Sequence, residues 1–169
     1  MTTKIYGVVV GVVRDRDDPE NEGRLQVEFP WMTGQTRSYW APVARFMAGR
    51  GRGAWFQPEI GDEVLVSFEH GDVQHPFIIG FLWNGEDTVP EPGDPKLRKF
   101  RSVNGHEIAF YDPEVTAGDQ GYLRVSDAHG NVIELANSRI TIRSVGTVEI
   151  RGLNVVINGR PVAMTPSPI

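Results

Sequence analysis

The chain has 169 residues, no cysteine and a formal net charge of −5 at pH 7. Its 40% hydrophobic and 23% charged residues exclude an intrinsically disordered chain, and the lack of cysteine excludes disulfide scaffolds and thiolate sites. The acidic balance argues against a protein that binds nucleic acid through phosphate contacts, and no apolar run approaches the roughly 18 residues of a membrane-spanning helix.

The chain opens with an apolar run, IYGVVVGVV (residues 5–13), that is similar to the core of a signal peptide. The charged stretch RDRDD follows it, where a cleavage site made of small residues would stand. A buried β-strand is therefore the favoured interpretation of this run. We expect synthesis in the cytoplasm without a signal peptide.

The 19 glycines and 12 prolines are spread along the chain and leave little room for helices of ordinary length. Only residues 131–145 run for 15 positions without either, and they form two stretches in which apolar and polar residues alternate. The predicted fold class is therefore all-β. A short helix or turn at residues 43–48 is the one exception that the pattern allows.

The first 84 residues predict a barrel of short strands separated by polar turns. Alternation is clear at residues 63–68, which place Val64, Val66 and Phe68 on one face. Five short strands with one wide connection fit a Greek-key barrel of the oligonucleotide/oligosaccharide-binding (OB) type. The predicted strands are residues 5–13, 24–29, 38–43, 63–68 and 77–82.

A proline-rich segment, residues 85–100, follows the barrel and is predicted to be a linker. Its prolines, Pro90, Pro92 and Pro95, lack the amide hydrogen that a continuous β-ladder needs. The linker separates the barrel from a second region, residues 101–160, and a short tail at residues 161–169 ends the chain.

The second region contains pairs of apolar residues spaced i, i+2, mostly with a polar residue between them. From Ile133 onward, the first members of successive pairs are 7, 8 and 7 residues apart, which indicates an internal repeat of very short strands. The pairs are Leu123 and Val125, Ile133 and Leu135, Ile140 and Ile142, Val148 and Ile150, and Val155 and Ile157.

Such a repeat cannot form a core alone, because each strand offers only two inward side chains and strands this short are unstable in isolation. Three identical chains wound around one axis would bury every pair and would also pair the open strand edges. The five pairs are therefore predicted to be the core of an intertwined trimeric β-helix. A meander that packs back on the barrel is the alternative interpretation.

Two loops of the barrel region carry charges that raise the question of a binding site. Arg45, Arg50 and Arg52 share a glycine-rich loop with Phe46 and Trp55, a combination that a single-strand nucleic-acid or saccharide-binding module would use. A contact with another barrel or with a partner protein is the favoured interpretation, and no nucleic-acid partner is expected.

The acidic loop DRDDPENEG (residues 15–23) lacks the spacing and the closing glutamate of an EF-hand, so a solvated turn is favoured over a calcium site. The four histidines, His70, His75, His106 and His129, form neither a His-x-His nor a His-Glu-x-x-His motif. No nucleophile elbow or phosphate-binding loop is present. We therefore expect no enzymatic activity, no metal and no cofactor.

Several motifs, in order along the chain, resemble a known family. GVVVGVVRDRDDPENEGRLQVEFPW (7–31) and YWAPVARFMAGRGRGAWFQPEIGDEVLVSFEHGDVQHPFIIGFLWNG (39–85) are similar to the barrel of the central spike proteins of contractile injection machines. NGHEIAFYD (104–112) and DAHGNVIEL (127–135) are similar to the segments that open their β-helix. The resemblance covers most of the chain and points to phage baseplate assembly protein V and to the spike portion of the VgrG proteins of type VI secretion.

The resemblance implies a homotrimer in which three barrels form a collar and the C-terminal segments form a β-helical needle, or β-prism. Sheath contraction would drive this needle through a target cell envelope, so that it meets a membrane only during puncture. The protein is thus expected to be made in the bacterial cytoplasm and to become part of a phage tail-like particle or a virion baseplate. Phage tails, pyocin-like particles, extracellular injection systems and type VI relatives all remain open.

The resemblance also implies two partner proteins: a separate hub of the tube or baseplate, and a conical tip cap of the PAAR-repeat kind. Asn158, Gly159, Arg160, Pro161 and Val162 are the residues expected to dock that cap. The chain departs from some relatives, because residues 85–100 are too short to hold a lysozyme domain and no His-x-His iron site ends the chain.

Overall fold

The computed structural model describes residues 4–34, 36–91, 93–114 and 118–162. The chain forms two compact units, Met1–Val89 and Pro90–Ile169. The division falls inside the segment predicted to be the linker. In the described part of the chain, no helix has the length and hydrophobicity needed to cross a membrane.

The described residues of the first unit form six strands. They are β1 (Val8–Asp15), β2 (Gln26–Glu28), β3 (Ala48–Gly49), β4 (Arg52–Gly53), β5 (Glu63–Phe68) and β6 (Pro76–Leu82). An antiparallel sheet has the order β2-β1-β5-β6, and β3 and β4 form a separate hairpin. A 3-10 turn, Glu69–Gly71, lies between β5 and β6.

Residues 36–44 close this sheet into a barrel, because they hydrogen bond to both of its outer strands. Next to β2, Leu25 and Ala41 exchange backbone hydrogen bonds of 3.0 and 2.8 Å. On β6, the Ile78 N–H donates to the Pro42 carbonyl at 2.9 Å, and the Ile78 carbonyl accepts from the Ala44 N–H at 2.8 Å.

One expectation for this closing segment is wrong, and the exception allowed at residues 43–48 contains no helix. The strand predicted at residues 38–43 consists only of isolated bridges, since Pro42 has no amide hydrogen to donate to a ladder. Residues 43–48 contain no helix, because the Ala44 N–H is committed to β6 and β3 begins at Ala48.

The barrel encloses a compact apolar core. The strand β5 matches its predicted bounds, and its inward side chains Val64, Val66 and Phe68 are buried as the alternation predicts. Burying one such side chain contributes roughly 1.5–3 kcal/mol. The core residues are Val13, Leu25, Val27, Phe29, Ala41, Val64, Val66, Phe68 and Ile78.

The second unit is an antiparallel meander followed by a short hairpin. The meander strands are β7 (Leu97–Arg101), β8 (Glu107–Tyr111), β9 (Tyr122–Ser126), β10 (Val132–Ala136) and β11 (Arg139–Arg143). They lie in the order β11-β10-β9-β8-β7, so consecutive strands are neighbours throughout. The hairpin pairs β12 (Val156–Ile157) with β13 (Arg160–Pro161).

The meander differs from the sequence prediction at both of its ends. The strand β7 begins inside the predicted linker, because residues 97–101 follow the last proline of that segment and are free to pair with β8. Three of the predicted apolar pairs lie in β9, β10 and β11. Val148 and Ile150 lie in no strand of the chain, and Val155 immediately precedes β12.

Candidate interaction surfaces

One face of the meander is apolar across all five strands. Residues directly opposite each other in an antiparallel ladder point to the same face, so the register defines two rows that cross the sheet. The first row is Phe100, Ile108, Val125, Ile133 and Ile142. The second row is Arg98, Phe110, Leu123, Leu135 and Ile140.

This apolar face is open to solvent in the single chain. Eight of its nine apolar residues are exposed, from 42% at Phe110 to 69% at Ile140, and the ninth, Leu123, is half-buried. Ala109, which lies on the opposite face, is the one buried apolar residue among the described residues of this unit. The meander therefore has an apolar face but no core beneath it.

On the opposite, polar face, charged side chains pair with one another. The ammonium of Lys99 is 3.1 Å from a carboxylate oxygen of Glu91 and 3.2 Å from one of Glu107, and its side chain is only 8% exposed. Burial lowers the pKa of Lys99, but the hydrogen bonds to the two carboxylates outweigh it and raise that pKa above its usual value. The charge of Lys99 is thus paired within the chain.

A second ion pair reinforces the polar face. The Arg124 Nε donates to a Glu134 carboxylate oxygen at 2.8 Å, and its guanidinium lies 4.2 Å from the centre of the Tyr122 ring. Tyr122 in turn stacks on Tyr111 with ring centres 5.3 Å apart. All of these contacts lie on the polar face, opposite the two apolar rows.

The structure brings six of the ten predicted core residues onto the apolar face, namely Leu123, Val125, Ile133, Leu135, Ile140 and Ile142. It adds three that the sequence prediction missed: Phe100, Ile108 and Phe110. Ile108 and Phe110 show the same i, i+2 spacing within NGHEIAFYD, so the sequence pattern was sufficient to predict them. Phe100 was missed because it lies in the segment predicted to be a linker.

The five residues expected to dock a cap lie together in the C-terminal hairpin. Asn158 and Gly159 form its turn with positive φ angles of 50° and 74°, as a two-residue hairpin with Asn-Gly requires. Arg160 and Pro161 form β13, and the Val162 N–H donates to the Val155 carbonyl at 2.7 Å. Docking of a cap on this hairpin stays a prediction.

The three arginines of the barrel loop do not form one site. Arg45 lies 4.7 Å from the centre of the Trp55 ring and donates to the Phe56 carbonyl at 2.7 Å. Burial lowers the pKa of Arg45, and these contacts give it a structural role inside the barrel unit. Arg50 and Arg52 are exposed at the β3–β4 hairpin, where a partner can reach them.

The acidic loop is not simply a solvated turn, because Asp18 is buried with 8% of its surface exposed. Its carboxylate accepts the backbone N–H groups of Glu20, Glu22 and Arg24 at 2.9–3.1 Å, and the Arg24 guanidinium at 2.7 Å. The Arg24 hydrogen bond is the main reason why the pKa of Asp18 lies well below its usual range. Asp18 therefore organises the loop, and its oxygens are fully used by these donors.

Comparison with known proteins identifies the barrel. Residues 9–83 match the family described as the type VI secretion system/phage-baseplate injector OB domain, which confirms the OB barrel predicted from the sequence. The type VI secretion system spike protein VgrG1a of Pseudomonas aeruginosa is 38% identical over 141 residues, which cover 75% of this chain and 22% of the relative.

Two relatives from Vibrio cholerae extend the same similarity. The type VI secretion system spike protein VgrG3 is 36% identical over 121 residues, covering 69% of this chain and 12% of the relative. A protein named actin cross-linking toxin VgrG1 is 33% identical over 141 residues, covering 77% of this chain and 13% of the relative. This chain spans between 12% and 22% of the length of these relatives.

Proposed function

We propose, on the premise that this chain belongs to the spike family of phage baseplates and type VI secretion systems, that it is the structural central spike of a contractile injection machine. It acts as a homotrimer in which the barrels form a collar and the second units form a needle. The needle joins a hub protein at one end to a tip cap at the other, and it pierces the envelope of a target cell.

The observation that supports the trimer is the apolar face of the meander. Nine of its ten positions are apolar, and they cross all five strands. Soluble monomers rarely expose a contiguous apolar surface larger than a few hundred Å². A partner must therefore cover this face, and the covering surface has to be apolar as well.

Further copies of the same chain are the occupants that we propose. Among the strands that the structure describes, β7 and β11 at the two ends of the meander are each paired on one side only, and such edges invite pairing with another chain. Three sheets around one axis would turn their apolar faces inward and bring each open edge beside that of a neighbour. Two sheets packed face to face would leave all four outer edges unpaired.

The segment after the meander supports the same arrangement. Residues 147–152 belong to no helix, strand or turn of this chain, although Val148 and Ile150 continue the apolar pairs of β9 to β11. The six residues are exposed in the single chain, and in a trimer their backbone N–H and C=O groups would find hydrogen-bond partners in the neighbouring chains. Unfolding one chain of such a needle requires separation of all three, which raises the barrier to unfolding.

The solution mass of the purified protein tests the proposal. Native mass spectrometry and light scattering should give three times the 18.8 kDa mass of one chain. Hydrogen exchange should show residues 147–152 protected in that trimer. A monomer or a dimer contradicts the proposal, and a monomer that retains a single-stranded oligonucleotide supports the alternative of a nucleic-acid binding module.

A further inference from the structure

The motif DAHGN, residues 127–131, forms the turn between β9 and β10 and is held by side-chain hydrogen bonds. The Asp127 carboxylate accepts the backbone N–H groups of His129 at 2.9 Å and of Asn131 at 2.8 Å. Its other oxygen accepts the side-chain amide N–H of Asn131 at 2.6 Å. Asp127 thus fixes both the turn and the orientation of the Asn131 side chain.

The Asn131 side chain also binds the chain where it leaves β11. The ladder between β10 and β11 ends at the pair Val132 and Arg143. Beyond it, the Asn131 Oδ1 accepts the Ser144 hydroxyl at 2.8 Å and the Val145 N–H at 3.1 Å. The amide oxygen therefore takes the place of a backbone acceptor and ends the hairpin.

Gly130 allows this exit to pass close to the turn. Its φ angle is +93°, and a Cβ added there would lie 3.3 Å from the Val145 Cγ1. A side chain at this position would therefore be strained in its backbone and crowded against the departing strand. The Ser144 Oγ then accepts the Gly146 N–H at 3.1 Å, which extends the restraint by one residue.

The other end of the β10–β11 hairpin behaves differently. There, Asn137 and Ser138 have positive φ angles of 48° and 65° and reverse the chain at once into β11. At the DAHGN end, no sixth meander strand follows in the described chain, and residues 147–152 form no strand. The chain therefore turns back into the sheet at Asn137 and Ser138, whereas at the DAHGN end it leaves the sheet.

We propose that Asp127, Gly130, Asn131 and Ser144 form an exit latch, which directs the chain out of its own sheet and into the segment that pairs with other copies. This inference rests on the proposed trimeric spike and deepens it, because it names the residues that position the needle strand. The latch acts on Val145 and the residues after it, and it contributes no surface to the trimer core.

An exchange of two side chains tests the latch in the full chain. Asn131→Asp removes the amide donor and places two carboxylates against each other. In the double variant Asp127→Asn with Asn131→Asp, the amide of residue 127 donates to the carboxylate of residue 131, so the side-chain hydrogen bond is restored with its direction reversed. An oxygen remains at each position to accept the backbone N–H groups and the Ser144 hydroxyl. Asn104→Ala, in the exposed turn between β7 and β8, is the matched control.

The readouts are the trimer fraction on dilution and hydrogen exchange at residues 147–152. We expect Asn131→Asp to raise the dissociation constant of the trimer by about tenfold or more and to speed exchange of this segment, because the hydrogen bond between residues 127 and 131 is replaced by repulsion between two carboxylates. For the double variant and for Asn104→Ala, the dissociation constant of the trimer and the exchange rate of the segment should stay within about twofold of those of the unmodified protein.

Each of the other possible results contradicts either the latch alone or the proposed function as well. A trimeric parent protein with Asn131→Asp unchanged in both readouts overturns the latch and leaves the proposed function standing. Failure of the double variant to recover also overturns it, since a restored latch must restore assembly. A monomeric parent protein overturns the proposed function, and the latch with it.

Discussion

The two units of this chain use the same alternating pattern and reach opposite results. In the barrel, residues 36–44 connect β2 to β6, so that the inward faces of β1, β2, β5 and β6 meet and nine apolar side chains are buried. In the meander, five strands lie side by side with no second layer within the unit, and Ala109 is the one buried apolar residue among those described. Alternation therefore predicts that one face will be buried, but the connections decide whether the chain itself or a partner buries it.

The largest expected effect comes from a charge on the open face. Ile142→Asp places one carboxylate from each copy at the predicted trimer axis without a partner, and burying such a group costs on the order of several kcal/mol. We expect the trimer to be lost in native mass spectrometry. Thr141→Asp, one residue away on the polar face, is the matched control and should remain trimeric.

The same pair of variants also tests whether the barrel is independent. All four tryptophans, Trp31, Trp40, Trp55 and Trp83, lie in the first unit, so their fluorescence follows the barrel. Its unfolding midpoint should be nearly the same for Ile142→Asp and Thr141→Asp. A trimer that survives Ile142→Asp would show that the apolar face is not its core.

The next effect in size belongs to the barrel core. Ile78 is fully buried, whereas its neighbour Ile79 on the outer face is 43% exposed. Ile78→Ala should lower the free energy of unfolding of the barrel by about 2–5 kcal/mol, and Ile79→Ala by about 1 kcal/mol or less. Urea unfolding followed by tryptophan fluorescence measures both, and equal effects would contradict the closed barrel.

Parts of the fold could be predicted because a local pattern determines them. The strand β5 was predicted at its observed bounds, since its three apolar residues alternate without interruption. The strand at residues 38–43 failed because the hydrogen bonds of this segment go to two different strands and Pro42 interrupts its pairing. The start of β7 at Leu97 differs from the prediction because the three prolines precede it, and residues 97–101 have every amide hydrogen that the ladder with β8 needs.

In the candidate surfaces too, local spacing predicts which side chains share a face but not which distant residues come into contact. Spacing alone placed Ile133 and Ile142 on one face, and the register of β10 and β11 places them directly opposite each other. Spacing could not reveal that Asp18 is buried, because its partners are backbone N–H groups and Arg24. Nor could it reveal the contact of Asn131 with Val145, which depends on where β11 ends.

A smaller effect, which depends on pH, is expected from Asp18. Its pKa in the folded barrel lies well below its usual range, chiefly because of the Arg24 hydrogen bond. A carboxyl of this kind stabilises the fold above its unfolded pKa of about 3.9, and that stabilisation is lost as the pH falls below this value toward the folded pKa. Barrel stability should therefore decline below about pH 4.

Asp18→Asn removes the carboxyl that titrates, so the barrel of this variant should be less stable at pH 7. Its stability should also decline less steeply between pH 4 and pH 2. Urea midpoints from tryptophan fluorescence across this range measure both effects. Asp17→Asn, at the exposed neighbouring residue, should keep the slope of the unmodified protein. An unchanged slope in Asp18→Asn would assign the acid sensitivity of the barrel to other carboxyls.

The smallest effect distinguishes the arginines of the barrel loop. Arg45 stacks on Trp55 and donates to the Phe56 carbonyl and to the Gln57 Oε1, the latter at 3.0 Å. Arg45→Ala should therefore lower barrel stability by about 1–2 kcal/mol, as loss of a cation–π contact and of hydrogen bonds predicts.

Arg50→Ala should change barrel stability by no more than about 0.5 kcal/mol, because its side chain is exposed at the β3–β4 hairpin. The tryptophan fluorescence midpoints of Arg45→Ala and Arg50→Ala measure this difference, with Arg52→Ala as a second exposed comparison. If Arg50 and Arg52 contact a hub, their variants weaken that binding while the trimer and the midpoint stay unchanged. An equal loss of stability at Arg45 and Arg50 would show that the exposed hairpin belongs to the fold of the barrel rather than to a surface kept for a partner.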